Sequence, residues 1–190
     1  MTEPVSDIRS HRFTGEDRLL FDTNVWLYLY GPVSAARPTE TRIYSKSLRD
    51  IRQAGSSVYL TPLILCEFIN AFARIEYERT RASDRSVTDF KSYRNSALFR
   101  HVAEEIAWSA TRVLNIADRC QFSFERADVG SMLVHFAKEQ ADFNDQVLVA
   151  VCEENALTLV THDADFTGTG IPILTANRRL LERNERSSDA

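Results

Sequence analysis

A chain of 190 residues with 44% hydrophobic and 26% charged side chains suits one packed domain that removes about two-thirds of its unfolded surface from water. That composition excludes wholesale disorder and a collagenous class, and no apolar run approaches the roughly 18 residues needed to cross a bilayer. The net charge of -4 and a pI near 5.6 exclude nucleic-acid binding through a broad basic surface, so a polyanion bound here needs a further cation.

Residues 1–17 are polar and aperiodic, lack a signal-peptide core, and are expected to be a mobile lead. Residues 18–21 form a short apolar rise ending in Asp22-Thr23-Asn24, then the aromatic run 25–30 and a Gly31-Pro32 break, which reads as strand, polar turn and short helix. Residues 39–54 carry Ile43, Ser47, Leu48 and Ile51 at helical spacing and stop at Gly55, and residues 58–60 read as a second strand. Thr61 and Pro62 offer an N-cap and a first-turn proline for a helix over 63–75 that is apolar nearly all round and is expected to be deeply buried. Ser86 and Asp89 give a weak capping signal, and Phe99 to Leu114 and Val129 to Ala137 follow as amphipathic helices. Residues 142–154 read as a buried helix, 157–160 and 171–174 as strands, and 161–170 as the loop between them. The charged, serine-containing residues 182–190 are expected to be mobile.

Short apolar strands separated by helices predict an α/β fold with a parallel sheet covered on both faces. Cys66, Cys120 and Cys152 are far apart, with Cys66 and Cys152 in apolar helical stretches, which predicts buried reduced thiols and a cytoplasmic protein.

Asp22 and Asp163 each follow a predicted strand, where open α/β sheets bind ligands. Glu67 shares a helix face with Leu63 and Ile64, and a buried unpaired carboxylate costs several kcal/mol, so a cation or hydrogen bond is expected beside it. Asp142 and Asp145 open a helix, where the first can be the N-cap and the second a first-turn acid; Asp163 and Asp165 can equally be turn residues. Together Asp22, Glu67, Asp145 and Asp163 can converge at one end of the sheet, and carboxylates that close require a hard divalent cation such as Mg2+ or Mn2+.

The segments Leu19-Leu20-Phe21-Asp22-Thr23-Asn24-Val25, Thr61-Pro62 through Glu67, Asp142-Phe143-Asn144-Asp145-Gln146 and Thr161-His162-Asp163-Ala164-Asp165-Phe166 resemble, in order, the acidic motifs of PIN domains. The resemblance implies a three-layer α/β/α sandwich over residues 18–181 with a helical insertion around 77–117. It also implies a Mg2+- or Mn2+-dependent endoribonuclease, with Asp22, Glu67, Asp145 and Asp163 as catalytic metal ligands and Asn24 and Thr161 orienting them. Asp142 and Asp165 stand as alternative ligands. Many bacterial relatives of this kind are VapC-type toxins, so RNA, a small antitoxin and a second copy of the chain are the partners implied. An RNA-processing nuclease and a catalytically silent binding module are the alternatives. A haloacid-dehalogenase-like phosphatase would need a second aspartate where Asn24 stands.

Overall fold

The computed structural model describes residues 5–138 and 141–188. Along the chain run β1 (Val5–Asp7), β2 (Arg18–Phe21), α1 (Thr23–Tyr30), α2 (Pro38–Ala54), β3 (Ser57–Leu60), α3 (Pro62–Ser83), α4 (Phe90–Arg94) and α5 (Leu98–Leu114). They are followed by β4 (Asp118–Arg119), a single 3-10 turn at Phe124–Arg126, α6 (Val129–Ala137), α7 (Phe143–Asn155), β5 (Thr158–Val160), β6 (Ile173–Thr175) and α8 (Arg178–Ser188).

The strands form one sheet in the order β1-β6-β5-β2-β3-β4, and every pairing is parallel. Parallel strands are linked by crossover helices that cover the sheet, so Leu19, Leu20, Phe21, Leu159, Val160, Ile173 and Leu174 are all buried. The result is a three-layer α/β sandwich, with α1 packed against α2, α3 and α5 and with α7 lying on β5. The chain leaves β2 toward β3 on one side and later returns to place β5 on its other side. The carboxyl ends of β2 and β5 therefore flank the crevice where strand order reverses, the usual ligand position in such sheets.

Local signals set the helices. Thr61 accepts from the Ile64 amide at 3.2 Å to cap α3, with Pro62 at its first position. Gly55, at φ 75°, ends α2 in the left-handed conformation.

Several expectations change. Within the segment 1–17, expected to be mobile, Val5–Asp7 pairs with β6 and Ile8 is buried; residues 1–4 lie outside the described residues. Of 182–190, residues 182–188 belong to α8, whose Leu180 is fully buried, and 189–190 lie outside the described residues. Helix α3 buries one stripe, Ile64, Phe68, Phe72, Ala73 and Tyr77, rather than its whole circumference. Cys66 is accordingly exposed, whereas Cys120 and Cys152 are buried. Residues 77–117 are largely helical, but α5 sends Ile106, Ala110 and Val113 into the main core, and only Tyr77, Val87 and Tyr93 make a small cluster of their own.

Candidate active site

Asp22 terminates β2 and caps α1. One carboxylate oxygen, Oδ1, accepts from the Thr23 amide at 2.6 Å; the other, Oδ2, accepts from Thr161 Oγ1 at 2.7 Å and from the Asn24 amide group. The side chain is thus held by a helix N-terminus and by the strand end across the crevice, and only 7% of the residue is exposed. Burial nevertheless pushes its pKa up to about 6, against the Thr161 and Thr23 hydrogen bonds, and the negative charges of Glu67 and Asp163 add to the rise.

Asp145 sits in the first turn of α7, which Asp142 caps by accepting from the Asn144 amide at 2.8 Å. Burial pushes the Asp145 pKa up to about 7, and the charges of Asp22, Asp142, Asp163 and Glu67 push the same way. One half-buried carboxyl thus feels the other three acids of the expected set, from three separate segments of chain.

Glu67 is half-buried at the edge of the α3 core stripe, and its Oε2 accepts from Thr23 Oγ1 at 2.9 Å. Asp163 is also half-buried; its amide donates to Thr161 Oγ1 at 3.0 Å and its carboxylate caps the Asp165 amide at 3.0 Å. The alternative members of the two doublets face outward: Asp142 is exposed, and Asp165 is 81% exposed with Arg183 at 3.8 Å. Asn24 bridges the crevice, donating to Asp22 and to Thr161 Oγ1 while accepting from the His162 amide at 3.0 Å.

The family model for the PIN domain matches residues 19–172, which run from β2 to the start of β6. The chain belongs to the PIN-domain family. PIN domains are generally nucleases. No curated protein matches the chain.

This PIN domain adds residues that sequence spacing did not single out. Tyr44, buried on α2, donates to the Thr161 carbonyl at 3.1 Å, lies 2.9 Å from His162 Nδ1 and accepts from the Ala176 amide at 3.2 Å. Asn177 donates to the His162 carbonyl at 2.6 Å. Together they fasten the segment that carries Asp163. Burial pushes the His162 pKa down, and the ring is held by Tyr44. Tyr44 has a sequence signal, since Tyr44, Ser47, Leu48 and Ile51 form the buried stripe of α2. Trp26, in the aromatic run 25–30, is fully buried.

Among the described residues, no three Asp, Glu, His or Cys side chains stand close enough together to enclose an ion as they are. A divalent cation that keeps several waters can be held by as few as one or two carboxylates. The donors are all hard oxygens, and a buried carboxyl with an elevated pKa is a group that a cation would relieve. A cleft of about 1400 Å3 between α6, α7 and the Phe166–Thr169 loop, lined by Met132, Phe136 and Phe166, meets this set at Asp145.

Thr23 is the link between Asp22 and Glu67, so Thr23→Val is expected to free the Glu67 carboxylate. In a protein that cleaves RNA through a metal held by these acids, cleavage should then fall roughly 10- to 100-fold, with the melting temperature little changed. Single-turnover cleavage rates and thermal melts check it, and an unchanged rate would remove Thr23 from the site.

Proposed function

We propose that this PIN domain is a Mg2+- or Mn2+-dependent endoribonuclease that hydrolyses RNA phosphodiester bonds, with Asp22, Glu67, Asp145 and Asp163 holding the metal. The observation that carries the reading is Asp22, a buried carboxylate at a strand end whose charged form is disfavoured by its own surroundings. A cation beside it offsets both that burial and the repulsion among the four acids, and also lets an acidic protein accept a polyanion.

When bound, a divalent ion supplies charge neutralisation for the scissile phosphate and lowers the pKa of a water for in-line attack. The chain's own groups fix the geometry. Thr161 and Asn24 hold one oxygen of Asp22 and Thr23 N–H holds the other, so the carboxylate cannot rotate away. Thr23 Oγ1 aims Glu67, and the α7 cap by Asp142 sets Asp145 in the first turn. His162 is anchored to Tyr44, and burial disfavours its charged form, which favours a positioning part for it over that of proton donor.

Within this reading the protein is the toxin of a toxin-antitoxin pair. Supporting it, Leu133, Val134 and Phe136 on α6 are about half exposed near the cleft, an apolar face that a small antitoxin can cover. A catalytically silent PIN module that only binds RNA or protein is favoured by one observation, the absence of a ready three-ligand cluster among the described residues.

Incubation of labelled RNA with the protein separates these readings. Cleavage that requires Mg2+ or Mn2+ and stops with EDTA is the expected result. Intact RNA at every metal concentration would leave the binding module, and cleavage unaffected by EDTA would overturn the metal assignment.

A further inference from the structure

Away from the acids, a hollow of about 530 Å3 lies between the end of α1, α2 and α5, lined by Tyr30, Leu48, Arg49, Arg52, Gln53 and Arg112 among others. No carboxylate lines it. Some arginines elsewhere pair with acids, as in Arg9 with Asp7, Arg79 with Glu76 and Arg178 with Glu182, and others do not; what sets this place apart is that three of them line one hollow. Arg49, Arg52 and Arg112 are all exposed, and among the described residues none of them has an acidic partner within ion-pair distance. Arg52 and Arg112 each lie in the last turn of a helix, where the dipole favours a cation. That accounts for either alone; it does not account for three guanidinium groups around one concavity in a chain of net charge -4.

The aromatic neighbours point the same way. The Arg112 guanidinium lies 4.1 Å from the Tyr30 ring centre and 4.7 Å from that of Trp108. Trp108 is itself 63% exposed, although an indole is among the side chains with most to gain from burial. An exposed aromatic ring beside arginines that lack acidic partners, one of them stacked on that ring, is the combination that single-stranded nucleic acid uses, bases stacking on the ring's open face while guanidinium groups take the phosphates.

We propose that Arg49, Arg52, Arg112 and Trp108 form a second binding site, one that grips single-stranded nucleic acid at its backbone and stacks a base on Trp108. The proposal rests on the nuclease reading to the extent that the strand held is substrate. Asp22 caps the start of α1 and Tyr30 ends it, so the two sites stand at opposite ends of one helix, roughly 12 Å apart along its axis. A strand anchored at the arginines has at least the length of α1 to cover before it reaches the acids, and the cationic hollow offsets the repulsion the acidic site presents to RNA.

The test uses the full chain in EDTA, so that binding is measured without cleavage, with a fluorescein-labelled oligouridylate of about 12 nucleotides as the probe. Wild type should bind, with affinity falling steeply between low and moderate KCl. Replacing all three residues (Arg49→Ala, Arg52→Ala, Arg112→Ala) should weaken binding at least tenfold and flatten the log-affinity against log-salt slope by about 2, the value for three phosphate contacts on a single strand. Trp108→Ala should weaken binding by roughly tenfold with the slope kept, and Arg112→Lys should keep the slope as well. Arg81→Ala, at an arginine 3.6 Å from Glu78, should change nothing. The triple variant must retain the wild-type melting temperature and its shift with Mg2+, which shows that the fold and the acid site are intact. Equal affinity and slope in wild type and triple variant would overturn the proposal. So would inorganic phosphate quenching Trp108 fluorescence where the oligonucleotide does not bind, which marks a small-anion site. Arginine-dependent binding by a protein that never cleaves RNA would sustain this site and sink the nuclease reading alone.

Discussion

Asp22→Asn should abolish RNA cleavage, a loss of roughly 100-fold or more, while raising the melting temperature of the metal-free protein at pH 8. The two effects have one cause. Asp22 is 7% exposed and its carboxyl is pushed up to about 6 from 3.8, so keeping it charged at pH 8 costs the fold about 3 kcal/mol. Asparagine has the same shape and is an equally good N-cap, so α1 keeps its start. It loses one acceptor, because Asp22 takes hydrogens from Thr23, Thr161 and Asn24 through two oxygens and the amide offers only one. With the cap kept by the oxygen, the amide nitrogen faces the Thr161 and Asn24 donors, and losing those two bonds costs about 1 kcal/mol each, which leaves a net gain of about 1 kcal/mol in the absence of metal. For a domain of this size that is roughly 2–4 °C in melting temperature. Destabilisation together with retained cleavage would mean that Asp22 is a structural cap and nothing more.

The second large effect is a stability that runs against the usual direction for acidic residues. Asp22 and Asp145 have folded-state pKa values of about 6 and about 7, above the 3.8 of an unperturbed carboxyl. Between about pH 4 and pH 7 the folded protein therefore holds more protons than the unfolded chain, and its stability falls as pH rises through that window. Metal-free protein should melt several degrees higher at pH 5 than at pH 8, with about 1.4 kcal/mol from Asp22 over that interval and a further part from the half-exposed Asp145, whose charge water screens. Added Mg2+ should stabilise strongly at pH 8 and little at pH 5, where protons occupy the same carboxylates. Thermal melts at both pH values, with and without Mg2+, check this. A metal-free protein more stable at pH 8 would show that the acids are already compensated within the fold.

Both effects grow from features that are unevenly visible in the sequence. Strands β2, β3 and β5 and helices α1 to α3 are legible because each pairs an apolar run with a punctuating residue, such as Gly55 or the Thr61-Pro62 cap. Strands β1 and β4 are not, since three and two residues carry no periodicity and exist through pairing with β6 and β3 across the chain. Helix α8 hides because most of it is polar; among its described side chains Leu180 alone joins the hydrophobic core. In the site, Asp22 and Asp163 are visible as acids just past strand ends, and Asn24 and Thr161 by being next to them. Thr23 to Glu67 and Tyr44 to Thr161 are contacts across 44 and 117 residues, and no local spacing encodes them. Glu67 was expected on the apolar face of α3; it lies instead at the margin between buried Ile64 and Phe68 and exposed Cys66 and Asn70, where it reaches Thr23 and remains open to solvent.

Calorimetric titration of Mn2+ into wild type and Asp22→Asn at pH 6.5, in two buffers of different ionisation enthalpy, tests most directly whether these carboxylates gather to hold a cation. Wild type should bind Mn2+ and release protons as it does so, because Asp22 and Asp145 are partly protonated at that pH, and Asp22→Asn should lose most of both signals. Identical Mn2+ affinity and proton release in the two proteins, or no binding to wild type, would contradict the account.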